Sequence, residues 1–323
     1  MFQRSDPPMH HFLYRRICAS ARVVILLLIV STSALAQTCT VSMPTIAFGS
    51  VNVLAGAAIN TTTTVSVTCS GGTSAGQRVC ISIGAGSAND ATSRQLTGPS
   101  STKSRFNLYT NSTHTTLWGS WQTGYDTAGV QLDTAQNSTT NATVYAQFFG
   151  SQQTALVGSY SSTFTSNPFI QYGIKGSTSC PTGSKTASTS SSATATVVSS
   201  CNVSATNINF GSIGLLTSNT DTTGTVTIQC NSTLPYTVSL NGGISGATDP
   251  TQRKMAFSST NIIYGLYRDS ARSLPWGATV GTNTASGTGS GTSQNLTVYG
   301  RIAPQATPKP GAYTDTIVVT VGY

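Results

Sequence analysis

Along this chain apolar residues recur at every second position far more often than at helical spacing. In 63–69, TTVSVTC, Val65, Val67 and Cys69 fall on one face and Thr or Ser on the other. In 317–321, IVVTV, Ile317, Val319 and Val321 share one face, with Val318 and Thr320 on the other. Such runs, closed by Gly, Asn, Ser or Pro, predict half-buried strands. In the first half the pattern predicts strands over 41–48, 63–69, 78–83, 106–109, 142–149 and 160–173, with 117–121 as a short return. In the second half it predicts 203–210, 225–230, 236–240, 262–267, 295–302 and 313–323. The expected fold class is all-β, two immunoglobulin-like β-sandwiches in tandem.

The two halves repeat one another. Cys39-Thr-Val41 aligns with Cys201-Asn-Val203, Phe48-Gly49-Ser50 with Phe210-Gly211-Ser212, and Cys69 with Cys230. Downstream, Leu108-Tyr109 and Trp118-Gly119 align with Leu266-Tyr267 and Trp276-Gly277. Thr143-Val144-Tyr145 aligns with Thr297-Val298-Tyr299, and Gly158-Ser159-Tyr160 with Gly311-Ala312-Tyr313. That many matches in one order mean two copies of one domain. Between them, 176–200 is rich in Ser and Thr and nearly free of large apolar groups. The expected organisation is a leader over 1–36, an N-terminal domain over 37–180, an exposed linker over 181–200 and a C-terminal domain over 201–323.

The leader changes how the cysteines are read. Arg15, Arg16 and Arg22 precede the apolar run 23–30, and Ala34-Leu35-Ala36 offers small residues for cleavage, the signature of a secretory signal peptide. No other segment approaches the ~20 apolar residues of a membrane span. Seven cysteines become six when Cys18 leaves, an even number that reads as three disulfides in an exported chain. The duplication suggests Cys39–Cys69 and Cys201–Cys230, and exclusion leaves Cys80–Cys180. The cysteine spacings suit no metal, and no cofactor motif has its structural context. A formal net charge of +8 is scattered, with no basic stripe for nucleic acid. Glu is absent, His114 is the one histidine beyond the leader, and the Asp residues are dispersed, so no acid-oriented base is in prospect and no enzyme activity is expected.

With these residues in place, the chain resembles the spore coat protein U family, the domain of archaic (Csu-type) chaperone–usher pilus subunits. The opening Cys-x-Val with Phe-Gly and the second Cys carry the resemblance. So does the ending, LTVYGR at 296–301, PGAYTDT at 310–316, then Ile317, Val319, Val321 and Tyr323. The resemblance implies a sandwich lacking one strand. A periplasmic chaperone lends that strand, and an adjacent pilin subunit replaces it at an outer-membrane usher. Ile317, Val319, Val321 and Tyr323 would form the strand-acceptor edge, left open by a chain that ends on Tyr323. Only Gln37 and Thr38 separate the expected cleavage site from Cys39, too few for a donor strand of ~10 residues. A subunit that receives but does not give suits a secreted pilus tip, hence an adhesin at the cell surface.

For the adhesive surface, counting strands back from the linker puts the apolar loop 148–157 at the far pole, and loop 51–59 with it unless the return 117–121 is a full sheet member. Val53, Leu54, Phe148, Phe149, Leu156 and Val157, with Trp121, are the candidates for contact with hydrophobic, host or abiotic surfaces. Leu215 and Leu216 match Val53 and Leu54 in the other copy, which favours core packing for that pair. Trp118 matches Trp276 and reads as structural, whereas Trp121 has no counterpart. Two alternatives stand beside the adhesin: a structural pilin or coat protein without a ligand, and a lectin-like binder using Trp121, Asp126 and Asp133.

Overall fold

The computed structural model describes residues 38–71, 76–87, 93–120, 130–135, 137–165, 169–174 and 185–323. The leader, Trp121, Asp126 and Cys180 lie outside the described residues. Among the described residues, apart from one 3-10 turn, Pro99–Ser101, the regular structure is strand.

In the N-terminal domain the strands are β1 (Thr38–Ser42), β2 (Ile46–Val51), β3 (Ile59–Ser70), β4 (Gln77–Ile81), β5 (Arg94–Thr97) and β6 (Lys103–Tyr109). There follow β7 (Val130–Thr134), β8 (Ser138–Phe148), β9 (Gly158–Phe164), β10 (Ile170–Ile174), β11 (Lys185–Ala187) and β12 (Ser191–Val197). One sheet runs β1-β3-β8-β6-β5-β9-β12-β2 and the other β11-β10-β4-β7. The alternation read from the sequence places the core: Val65, Val67 and Cys69 of β3 are buried while their Thr neighbours face out. Phe48 meets Phe106 and Phe148 edge-on, each at 5.8 Å between ring centres.

The C-terminal domain holds β13 (Cys201–Ala205), β14 (Thr220–Cys230), β15 (Pro235–Leu240), β16 (Arg253–Phe257), β17 (Thr260–Tyr267), β18 (Ala285–Thr288), β19 (Gln294–Ile302) and β20 (Val319–Gly322). Its sheets run β13-β14-β19-β17-β16 and β18-β15-β20. This is the first domain over again: β13 pairs β14 as β1 pairs β3, β14 pairs β19 as β3 pairs β8, and β15 sits beside β18 as β4 does beside β7. Each copy has its disulfide across the first pair, Cys39–Cys69 and Cys201–Cys230, with the bonded residues opposite one another in register. Cys80 is also disulfide-bonded and fully buried; its expected partner Cys180 is not among the described residues.

A deeper likeness escaped the sequence reading. Arg94 and Arg253 are fully buried at equivalent places and each clamps main-chain carbonyls. Arg94 donates to the carbonyls of Ile83, Gly84 and Trp118 and to Asn107 Oδ1. Arg253 donates to those of Leu240, Asn241, Pro250 and Trp276. Trp118 and Trp276 complete the unit by donating their indole N–H to Ile81 and Val238 carbonyls. Five donors on a rigid plane let a guanidinium satisfy several carbonyls at a sheet corner at once. Burial lowers the pKa of Arg253 from its usual value, the cost of holding a charge there.

Candidate functional site

The two copies part company over residues 181–200. The expectation of an exposed linker there is corrected: β11 and β12 lie within it, and Ala193, Ala195 and Val197 are 0–3 % exposed. Small side chains at alternate positions misled the reading, because SSATATV has too little apolar bulk to look like a core strand. It occupies a slot between β9 and β2. On one side β12 pairs antiparallel with β9, Ser191 opposite Phe164 through Val197 opposite Gly158. On the other it runs parallel to β2, with Ala193 opposite Ile46 and Val197 opposite Val51.

In the C-terminal domain no strand among the described residues takes that place. Tyr313, Asp315, Ile317, Val319 and Val321 alternate inward as Tyr160, Ser162 and Phe164 do, yet they are half-exposed where the earlier three are buried. Across the gap Ile208, Phe210 and Ile213 are likewise half-exposed, whereas their matches Ile46, Phe48 and Val51 are buried. Between these two edges runs a groove. One section, about 680 Å³, is floored by Leu240, Leu266 and Val298. The next, about 750 Å³, reaches Ile262, Ile302 and Leu216, and Phe210, Met255 and Tyr313 line both. Along the expected acceptor edge β20 pairs β15 on one side, Ile317 and Val319 line the groove, and Tyr323 is 59 % exposed. An unpaired edge over apolar floor is a template for an added strand.

At the middle of the groove Tyr264 donates its hydroxyl to Asp315 Oδ2 at 2.7 Å. Asp315 Oδ1 accepts from the backbone of Ile244 and Thr316, each at 2.8 Å. Burial, with the Asp315 hydrogen bond second, raises the Tyr264 pKa well above a free tyrosine's, so the phenol stays protonated. Neither residue stood out in the sequence; the signal lay in the repeat, where the pair aligns with Phe106 and Ser162.

The apolar loops are placed differently from the expectation. Because β12 carries the chain back along β9, the chain leaves the domain beside Gly158 and Val51, not at the end of β10. The Val198 N–H donates to the Val51 carbonyl, and Ser200 exchanges hydrogen bonds with Asn231 of the next domain. Loops 52–58 and 149–157 therefore sit at the domain junction, where a Cβ on Gly291 would collide with the Gln153 carbonyl. Val53, Leu54 and Phe148 are buried, which removes them from any surface role. Phe149, Leu156 and Val157 are half-buried, and the Arg105 guanidinium lies over the Phe149 ring at 5.7 Å. Among the described residues the large apolar side chains left open to solvent all lie in 201–323, Leu215, Ile244 and Val280 foremost. Asp133, the described member of the lectin-like trio, is engaged by Arg78 at 2.6 Å. His114 packs edge-on to Tyr109 and Tyr145.

A family model described as the Spore Coat Protein U domain matches residues 25–167 and 187–320. Among solved structures, the chain is similar to the CsuC–CsuE chaperone–tip adhesion subunit pre-assembly complex from archaic chaperone-usher Csu pili of Acinetobacter baumannii. That match has 18 % identity and a TM-score of 0.53, covering 88 % of this chain and 100 % of the other. The CupB6 tip adhesin from Pseudomonas aeruginosa matches at 10 % identity and a TM-score of 0.37, over 88 % and 93 % of the two chains. A comparison with curated protein sequences finds no match.

Proposed function

The chain belongs to the Spore Coat Protein U domain family, and on that premise we propose that it is a chaperone–usher pilus subunit whose C-terminal groove receives a strand from another chain. One observation carries the reading. The slot filled by β12 in one copy lies open in the other, between edges of matching sequence. A periplasmic chaperone supplies the strand during export, and an adjacent subunit supplies it at the usher and in the fibre. Main-chain pairing provides strength, and the alternate side chains entering the groove provide register.

Within the pilus the chain sits at the tip. In its N-terminal domain the chain's own β12 takes the place beside β9 that is open in the C-terminal copy. If cleavage follows Ala36, two residues precede Cys39, too short a segment to donate a strand, and Thr38 is paired with Ser70. The N-terminal domain is then the part presented outward, with surface contact made by the pole of β1, β3 and the Cys39–Cys69 disulfide. The loops around Val53 and Phe149 serve the domain junction.

Appending a strand after Tyr323 tests the groove. The connector is a Gly/Ser linker as long as residues 175–184, and the strand is an alternating Val/Thr segment as long as Lys185–Val197. The melting temperature of the C-terminal domain should rise, and a one-residue shift of the alternation should cancel the rise, because it turns every Val outward. No rise with either register refutes the acceptor reading. Immunogold labelling on pili tests position: label at fibre ends supports the tip, whereas label along the shaft makes the chain a structural pilin.

A further inference from the structure

Resting on the acceptor reading, we propose that Asp315 and Tyr264 select the strand that enters the groove, requiring a short hydroxyl side chain, Ser or Thr, opposite Asp315 with larger apolar residues two positions away on either side. The filled copy supplies the template. Ala193 of β12 lies opposite Ser162, and the next inward residues, Ser191 and Ala195, lie opposite Phe164 and Tyr160. Ser162 accepts the Ser87 N–H at 2.9 Å just as Asp315 accepts that of Ile244. Gly86 and Gly243, both at positive φ, pass so close that a Cβ would strike the Ser162 hydroxyl or the Asp315 carboxylate. The floor beneath is Phe106 in one copy and Tyr264 in the other, opposite Arg94 and Arg253 and edge-on to Phe48 and Phe210.

Between the copies, then, two contacting positions differ, Phe106 against Tyr264 and Ser162 against Asp315, and Tyr264 and Asp315 bond to each other. They put a carboxylate beside the apolar floor of the slot, Leu240, Leu266 and Val298. Among the described residues Asp315 Oδ2 accepts from Tyr264 alone, and Asp315 lines the groove, so it has the capacity to accept one more donor from an incoming strand. A Leu at that register would strip water from the carboxylate and return no hydrogen bond. A Ser or Thr donates to it and leaves room. The flanking positions meet Tyr313 with Phe210 and Met255 at one end, and Ile317 with Leu240 and Val298 at the other, where apolar bulk fits.

The test uses the full chain with the appended strand, carrying Ser, Thr, Ala or Leu opposite Asp315. With Asp315 present, the Ser and Thr strands should raise the C-terminal melting temperature above the Leu strand by roughly 4 °C or more. In Asp315→Ser, which installs the residue of the filled copy, that gap should close or reverse. Comparing strands within each background cancels any loss from the substitution itself. A Leu strand that equals or exceeds Ser with Asp315 present overturns the selection, as does a gap unchanged in Asp315→Ser. If no strand of any kind shifts the transition, the acceptor reading falls and this inference with it.

Discussion

Replacing Thr194 with Pro separates a strand from a linker at a single position. Thr194 lies midway along β12, opposite Ser161 of β9 and Ala47 of β2, so both edges of the strand are in use. Proline removes the amide hydrogen, and its ring does not fit between two paired neighbours in a sheet interior. The loss includes one ladder hydrogen bond and the register of Ala193 and Ala195 in the slot, about 3 kcal/mol. For a domain of this size that lowers the melting temperature by roughly 6–12 °C. Thr194→Val keeps the amide and should stay within about 0.5 kcal/mol. Scanning calorimetry on the full chain reads both, since the N-terminal and C-terminal domains have separate cores. In a solvated Ser/Thr linker the same Pro would be neutral, so an unchanged N-terminal transition in Thr194→Pro refutes the placement of β12.

Two further outcomes follow from buried and paired charge. Arg253→Met should cost about 2–4 kcal/mol, because the carbonyls of Leu240, Asn241, Pro250 and Trp276 lose their donor while relief of the buried charge returns part of the loss. Urea unfolding followed by Trp276 fluorescence would show it, and an unchanged midpoint would mean that the clamp contributes nothing. Asp221 is held below the usual carboxylate range, chiefly by the Arg301 hydrogen bond at 2.7 Å. Its contribution is present above the unfolded pKa near 4 and is lost as pH falls through the lower folded value. Asp221→Asn should flatten that part of the acid limb in melting temperature against pH, and an acid limb identical to that of the parent chain would remove Asp221 from the acid response.

Much of this protein was legible in the order of its residues. Alternation in 63–69 and 225–230 placed two of the buried strands, and the repeat placed both disulfides, Cys39–Cys69 and Cys201–Cys230, because local periodicity and matched spacing are properties of the chain alone. The alternation of Ile317 and Val319, which line the groove, was legible for the same reason. Three things were not. Ala193, Ala195 and Val197 carry too little apolar surface to announce a core strand, and their burial depends on β2 and β9 closing around them. The pole at which Phe149 and Val157 lie depends on that strand reversing the chain. Most tellingly, Phe48-Gly49-Ser50 and Phe210-Gly211-Ser212 are the same three residues, yet the first lies in β2 and the second in no strand. A strand is defined by the neighbour that accepts and donates its hydrogen bonds. Only the fold decides whether that neighbour comes from the same chain.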